Sequence, residues 1–154
     1  MGSRRPRVRR VAQRDGEHVA CRAWQAALEA HADQAGSNTV LVAHSVGYLL
    51  VEHWAARKRL RLMGALLVVV PDPAGDAFPP LATGFAPVPR ATLPFPGILV
   101  ASRNDPHASL DFARACAHDR GSEFAGIGAA GHIDADSGFG DWREGKALLR
   151  RLSG

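Results

Sequence analysis

A histidine, a serine and a glycine separate two apolar runs in the segment TVLVAHSVGYLL. The five central residues, from Ala43 to Gly47, read A-H-S-V-G. In a nucleophile elbow a strand turns sharply into a helix, and the serine lies at the strained tip between small residues two positions before and two positions after it. Ala43 and Gly47 meet that requirement, so the segment predicts that Ser45 is a nucleophile.

A serine hydroxyl is a weak nucleophile unless a base accepts its proton, and the base needs an acid that fixes its tautomer. Asp105 follows the third predicted strand, in ASRNDPH, and His132 follows the fourth, in AAGHID. Ligands of parallel sheets bind at the carboxyl ends of the strands, where all these residues are expected. We therefore predict Ser45, Asp105 and His132 as the catalytic residues, in the order found in α/β-hydrolases, and the N–H of Val46 as an oxyanion donor.

Other residues near the predicted strand ends are open to several roles. Asp72 follows the second predicted strand and is the alternative acid, because some hydrolases carry the acid there. We predict that His107 lines the site. His44, next to the nucleophile, has either a packing role in the loop or a contact with substrate.

The sequence contains no strong metal site and no disulfide framework. Asp134 and Asp136 follow His132, but these three residues are a poor set of metal ligands. Cys21 and Cys116 are far apart and lie in apolar helical patterns, where free buried cysteines are common. We expect neither a metal nor an organic cofactor, and we expect a cytoplasmic protein.

Four short apolar runs alternate with helical patterns and predict the elements that position these residues. Strands are expected at 39–43, 64–70, 97–102 and 123–127, and helices at 21–34, from 46 onward, at 109–119 with Ser109 as N-cap, and at 143–152. Residues 1–17 are expected either to fray or to form an edge strand. Together these patterns predict one α/β domain over 1–154, a three-layer sandwich whose mostly parallel sheet has about five strands, with helices on both faces.

The segment 71–96 holds eight of the ten prolines, which predicts a long irregular connection. Connections of this length in compact domains are usually either functional lids or disordered segments. We predict that this segment covers the site and that Phe78 and Phe85 form a wall of the substrate pocket.

The net charge of +4 is uneven, because arginines crowd the first fourteen residues and a second basic cluster lies near 57–61. No aromatic residues interleave with these arginines, as they do in many nucleic-acid sites. No apolar run approaches the roughly 20 residues that span a bilayer. We therefore expect no nucleic-acid or membrane partner.

Four segments together resemble the small serine hydrolases of the retinoblastoma-binding-protein type, over roughly residues 10 to 152. They are LVAHSVGYLLVEHWA, GALLVVVPDP, LPFPGILVASRNDPHASLDFARA and GHIDADSGFGDWREGKALL. The resemblance implies a compact α/β-hydrolase with Ser45 as nucleophile, Asp105 as acid and His132 as base.

The chain departs from that family at its start. Members usually begin with an apolar strand and a P-G-x-x-G loop that supplies a second oxyanion donor, and nothing similar precedes residue 10 here. A missing interior strand would leave unpaired sheet edges, open to a homodimer or to a partner strand, and a missing donor costs on the order of 10²–10³ in rate.

The leading hypothesis is a serine hydrolase that cleaves small esters or amides through an acyl-enzyme. The alternative is a catalytically impaired hydrolase-fold protein that acts in binding.

Overall fold

Four parallel strands form one sheet in the computed structural model, which describes residues 7–13, 16–58 and 61–154. The strands are β1 (Val40–His44), β2 (Gly64–Val68), β3 (Gly97–Ala101) and β4 (Glu123–Gly126). The helices are α1 (Cys21–Ala32), α2 (Val46–Ala55), α3 (Leu110–Arg120) and α4 (Arg143–Ser153), and a 3₁₀ turn spans Ala135–Ser137. All four strands and all four helices lie where the sequence patterns predict them, with ends that differ by a few residues.

The strand order in space is the order along the chain, β1-β2-β3-β4. The register places His44 opposite Val68, Val68 opposite Val100, and Val100 opposite Ala125. The carboxyl ends of the four strands therefore lie at one edge of the sheet. The loops that follow β1, β3 and β4 carry the predicted catalytic residues, so the topology brings them to the same edge.

Alternate residues of the two central strands face two separate cores. Leu67 and Leu99 pack with α1, α2 and α3 in the first core. Leu66 and Val100 pack on the other face of the sheet, in the second core, with residues of α4 and the loop before it. Every residue of β2 and β3 is buried, which explains why both strands are continuous apolar runs. This arrangement confirms the predicted three-layer sandwich with helices on both faces.

The N-terminal segment does not form the edge strand that is one of its two expected states. Residues 7–13 form no strand, so the described sheet has four strands instead of about five, and β1 lies at its edge. Val8 is 91% exposed, whereas Val11 packs on the first core and the Gln13 side chain donates to the Trp24 carbonyl. The segment thus rests against α1 instead of pairing with the sheet. Part of the arginine-rich start, residues 1–6 and 14–15, lies outside the described residues, as do residues 59–60 of the second basic cluster.

The proline-rich segment 71–96 is irregular, as predicted, but it is held against the body of the domain. The N–H groups of Val19 and Cys21 donate to the carbonyls of Leu81 and Thr83 at 3.1 and 2.9 Å. Phe85 is only 1% exposed and lies in the first core. These contacts fasten the middle of the segment to the start of α1.

Helix ends follow the local chemistry of the sequence. The Ser109 hydroxyl accepts from the Phe112 N–H at 3.1 Å, which confirms Ser109 as the N-cap of α3. At the other end, Gly121 adopts a left-handed conformation with φ of 66° and closes α3.

Among the described residues, no helix combines the length and the apolar character needed to cross a membrane.

Candidate active site

Ser45 lies at the tip of the turn between β1 and α2. Its φ of 57° and ψ of −122° are rare for any residue except glycine. The Ser45 N–H donates to the Val68 carbonyl of β2, and its carbonyl accepts from the Tyr48 N–H, both at 2.9 Å. Val46 is the first residue of α2, so its N–H has no acceptor within the helix. This is the elbow geometry that the A-H-S-V-G segment predicts.

The two small residues of the elbow face each other. A β-carbon added to Gly47 would lie 3.8 Å from the β-carbon of Ala43, which is an ordinary van der Waals contact. Ala43 is itself buried at the carboxyl end of β1. The elbow therefore tolerates one further carbon at position 47, provided that position 43 stays small.

The imidazole of His132 lies between the other two predicted catalytic residues. Its Nε2 atom is 2.8 Å from Ser45 Oγ, and its Nδ1 atom is 2.9 Å from Asp105 Oδ1. The side chains of His132 and Asp105 are only 12% and 4% exposed. A neutral His132 that donates from Nδ1 to the carboxylate accepts the Ser45 hydroxyl at Nε2, which is the tautomer that a general base requires.

Polar residues after β3 hold the loop that carries His132. Ser102 Oγ accepts from the Ala130 N–H at 2.9 Å and donates to Asn104 Oδ1 at 3.0 Å, and Asn104 Oδ1 accepts from the Gly131 N–H at 2.7 Å. Gly131 has φ of 59°, and a β-carbon there would lie 2.9 Å from Ser137 Oγ. Ser102 and Asn104 were not predicted from the sequence, although their place directly after a buried strand was a usable signal.

Both predicted neighbouring histidines contact His132. The His107 ring lies 4.2 Å from the His132 ring between centroids, at an interplanar angle of 49°. The His44 ring lies 5.0 Å away at 65°, and its Nε2 atom donates to the His132 carbonyl at 2.8 Å. His107 also donates its backbone N–H to Asp105 Oδ1 at 3.0 Å.

Asp72, the alternative acid, uses its carboxylate within its own turn. Its Oδ1 atom accepts from the Ala74 N–H at 2.9 Å, while its backbone N–H donates to the His107 carbonyl at 3.0 Å. The carboxylate that bonds to the imidazole is that of Asp105. The structure therefore brings Asp105, and not Asp72, to His132.

The two predicted pocket phenylalanines lie in the first core. Phe85 packs edge-on against His53 of α2, which donates from Nε2 to the Phe85 carbonyl at 2.7 Å. Phe78 is half-buried, with its ring 6.4 Å from that of Phe85 between centroids. Burial in the core removes Phe85 from any surface pocket, which corrects the expectation for this residue.

A cleft of about 540 Å³ lies beside His44 instead. One lining residue comes from the carboxyl end of β1 and the others from the loop around the 3₁₀ turn. They are His44, Ile133, Asp134, Phe139, Gly140 and Trp142. The Ser137 hydroxyl and N–H donate to Asp134 Oδ1 at 2.9 and 3.0 Å, and these bonds lower the pKa of the Asp134 carboxyl. Phe139 and Trp142 were not predicted, because nothing in the glycine-rich segment shows which aromatic residue faces β1.

The described residues contain no group of three or more His, Cys, Asp or Glu side chains arranged to hold a metal ion. Both cysteines are free and buried. The carboxyl edge of the sheet carries a hydroxyl, an imidazole and a carboxylate in series.

The chain is similar to known hydrolases. The family model described as "Serine hydrolase" matches residues 1–151. A YdeN-like hydrolase from Pectobacterium atrosepticum shares 28% identity at a TM-score of 0.74, covering 96% of this chain and 74% of that chain. No curated protein sequence matches the chain.

Two further solved structures, each 20% identical to this chain, share its fold. The ydeN gene product of B. subtilis has a TM-score of 0.68 and covers 86% of this chain and 74% of its own. A thermophilic esterase from Thermogutta terrifontis has a TM-score of 0.63 and covers 88% and 74%. At these identities the likeness concerns the α/β-hydrolase fold.

Proposed function

Since the chain belongs to the serine hydrolase family, we propose that it cleaves small esters or amides through an acyl-enzyme formed on Ser45. The observation that carries the proposal is the continuous series from Ser45 Oγ to His132 Nε2 and from His132 Nδ1 to Asp105, at 2.8 and 2.9 Å. The strained φ of Ser45 supports it, because strained backbone of this kind clusters at functional sites.

Acylation begins when Ser45 Oγ attacks the carbonyl carbon of the substrate. The hydroxyl proton passes to Nε2 of His132, and the Asp105 carboxylate stabilises the imidazolium that forms. The carbonyl oxygen becomes an oxyanion, which the N–H of Val46 and the positive end of the α2 dipole stabilise. His132 then gives its proton to the departing alcohol or amine, and the acyl group stays on Ser45.

Deacylation repeats these steps with water in place of the serine. His132 takes a proton from the water, whose oxygen attacks the acyl carbon, and then returns the proton to Ser45 Oγ as the acid departs. The cleft beside His44 is our proposed place for the leaving group, where it contacts Ile133, Phe139 and Trp142, because the cleft adjoins the loop of the residue that protonates that group.

The family match and the esterase-like neighbours favour hydrolysis over the alternative of a binding protein without catalysis. The loss of a second oxyanion donor stays a prediction, as do the impairment expected from that loss and the relationship to the retinoblastoma-binding-protein type.

Labelling with a fluorophosphonate probe tests the proposal directly, because the probe phosphonylates only an activated serine. We expect wild-type protein to be labelled on Ser45, with the modified peptide identified by mass spectrometry. Ser45→Ala should abolish labelling, and His132→Ala should reduce it by several orders of magnitude. Ser37, which is exposed, offers a matched control, since Ser37→Ala should be labelled like the wild type.

Hydrolysis of p-nitrophenyl acetate and butyrate then tests turnover. We expect an initial burst of p-nitrophenol equal to the enzyme concentration, since an acyl-enzyme accumulates when deacylation is slow. A folded wild-type protein that is not labelled, or a Ser45→Ala variant that keeps its hydrolytic rate, would overturn the proposal.

A further inference from the structure

The structure places two further imidazoles against His132, and we propose that His44 and His107 are positioning residues that hold this base in its working orientation. The inference rests on the proposed function, in which His132 carries the proton. Neither residue exchanges a proton with substrate in this scheme. Each acts through His132.

Two hydrogen bonds alone do not fix the orientation of an imidazole. The bonds from Nδ1 to Asp105 and from Nε2 to Ser45 fix the two nitrogens, but the ring can still rock about the line that joins them. The torsion that sets the plane of a histidine ring has only a broad preference of its own. A side chain packed against the ring must therefore limit this motion.

His107 is placed to do so. Its ring centroid lies 4.2 Å from that of His132, so the base cannot rock toward it without a clash. The backbone of His107 is itself fixed, since its N–H donates to Asp105 Oδ1 and its carbonyl accepts from the Asp72 N–H, both at 3.0 Å. His107 thus contacts the base with its ring and the acid with its backbone.

His44 holds the backbone of the base. It donates from Nε2 to the His132 carbonyl at 2.8 Å, and that carbonyl belongs to the peptide that enters Ile133. Ile133 has φ of 48°, a left-handed conformation that is strained for a β-branched residue. Such strain persists only when the surroundings hold it. The hydrogen bond from His44 is one such constraint, and it links the residue before the nucleophile to the strained turn after the base.

The test for His107 compares a variant that removes the ring with a variant that keeps one. We expect His107→Ala to lower kcat about 10-fold, since a small misplacement of a catalytic group has effects of this size, with KM changed less than about twofold. His107→Phe keeps an aromatic ring and both backbone bonds, and should recover kcat to within about threefold of wild type.

The test for His44 compares a variant that removes its hydrogen bond to the His132 carbonyl with a variant that keeps this bond. We expect His44→Ala to lower kcat about 10-fold at unchanged KM. The amide nitrogen of Gln occupies nearly the position of the histidine Nε2, so His44→Gln should recover most of the rate. His118, which is exposed on α3, supplies the matched control, and His118→Ala should behave as wild type. Thermal unfolding of every variant verifies that each is folded.

Three results would overturn the inference. Wild-type kcat in both alanine variants would mean that the base needs no such support. A rise in KM at constant kcat would mean that His44 and His107 contact substrate instead. Phe and Gln variants that are folded but as slow as the alanine variants would mean that the imidazoles act in the chemistry itself. Ser45→Ala is measured beside them, because activity that survives this change refutes the proposed function itself, whereas wild-type rates in the alanine variants refute only the positioning role.

Discussion

The guanidinium of Arg120, at the end of α3, forms a buried ion pair with the carboxylate of Glu52 on α2. Arg120 Nε lies 2.6 Å from Glu52 Oε1, and each residue is 3% exposed. The Tyr48 hydroxyl also donates to Glu52, and Arg120 donates to the carbonyl of Pro89. This cluster ties the helix that begins after Ser45 to α3 and to the proline-rich segment.

The buried carboxyl predicts an unusual dependence of stability on pH. Burial raises the pKa of Glu52 from 4.5 to about 7, against the opposing effects of Tyr48 and Arg120. The folded state therefore holds the proton more tightly than the unfolded chain does. The stability that this proton gives to the folded state is fully present below the unfolded pKa of Glu52 and is lost as the pH rises through 7. Relative to Glu52→Gln, the wild type should lose about 2–3 kcal/mol of unfolding free energy between about pH 5 and pH 8.

Urea denaturation of both proteins across this pH range measures the difference. In Glu52→Gln, Arg120 loses the Glu52 carboxylate but keeps that of Asp119 at 3.5 Å. This loss lowers stability equally at every pH, because arginine does not titrate in this range. A wild type that instead gains stability over Glu52→Gln as the pH rises would show that the ion pair outweighs burial and that the carboxyl titrates below its ordinary pKa.

The two acids that follow strands differ in what they should do to the rate. Asp105→Asn should lower kcat by on the order of 10³–10⁴, because an amide in this place favours the wrong tautomer of His132. Asp72→Asn should keep the rate within about threefold of wild type, since the Asp72 carboxylate bonds to its own turn. Steady-state hydrolysis of p-nitrophenyl butyrate compares them, and the reverse ranking would assign the acid to Asp72.

The elbow should accept one added carbon at position 47 and no more. Gly47→Ala places a β-carbon 3.8 Å from that of Ala43 and, at a helical position, should raise the unfolding free energy by up to about 1 kcal/mol without loss of activity. Gly47→Val adds two methyl groups beyond that β-carbon, and should lower the unfolding free energy by about 1–3 kcal/mol and lower kcat. Thermal unfolding and labelling of Ser45 measure both effects. Equal behaviour of the two variants would show that the elbow relaxes freely.

The two cysteines should be inert in the folded protein. Cys21 and Cys116 are 3% and 5% exposed. Burial, and next the negative charge of Glu52, raises the pKa of the Cys116 thiol to about 12, and burial also raises that of Cys21. Because the thiolate is the reactive form, iodoacetamide at pH 8 should modify neither residue until guanidinium unfolds the chain, after which mass spectrometry should detect two adducts. Cys116→Ala should then give one, and rapid modification of native protein would contradict this account.

Much of the fold could be predicted because it depends on local properties of the chain. The apolar runs of β2 and β3 specify strands, and Ser109 specifies the start of α3, through residues only a few positions away along the chain. The A-H-S-V-G segment likewise combines a turn, a helix start and two small residues, so the conformation of Ser45 followed from its neighbours. The segment 7–13 was harder, because pairing with a sheet edge depends on contacts that no short pattern contains.

The sequence by itself determined the order of strands and helices and the elbow at Ser45, because hydrophobic period and turn chemistry are encoded residue by residue. Only the tertiary structure decided which acid meets His132, since Asp72 and Asp105 both follow strands and chain order allows either. It also placed Phe85 in the core, turned Phe139 and Trp142 toward the cleft, and set His44 and His107 against the base. These outcomes depend on packing between segments that are distant along the chain, since Ser45 and His132 are 87 positions apart. The space that remains after the core has formed determines where these side chains lie.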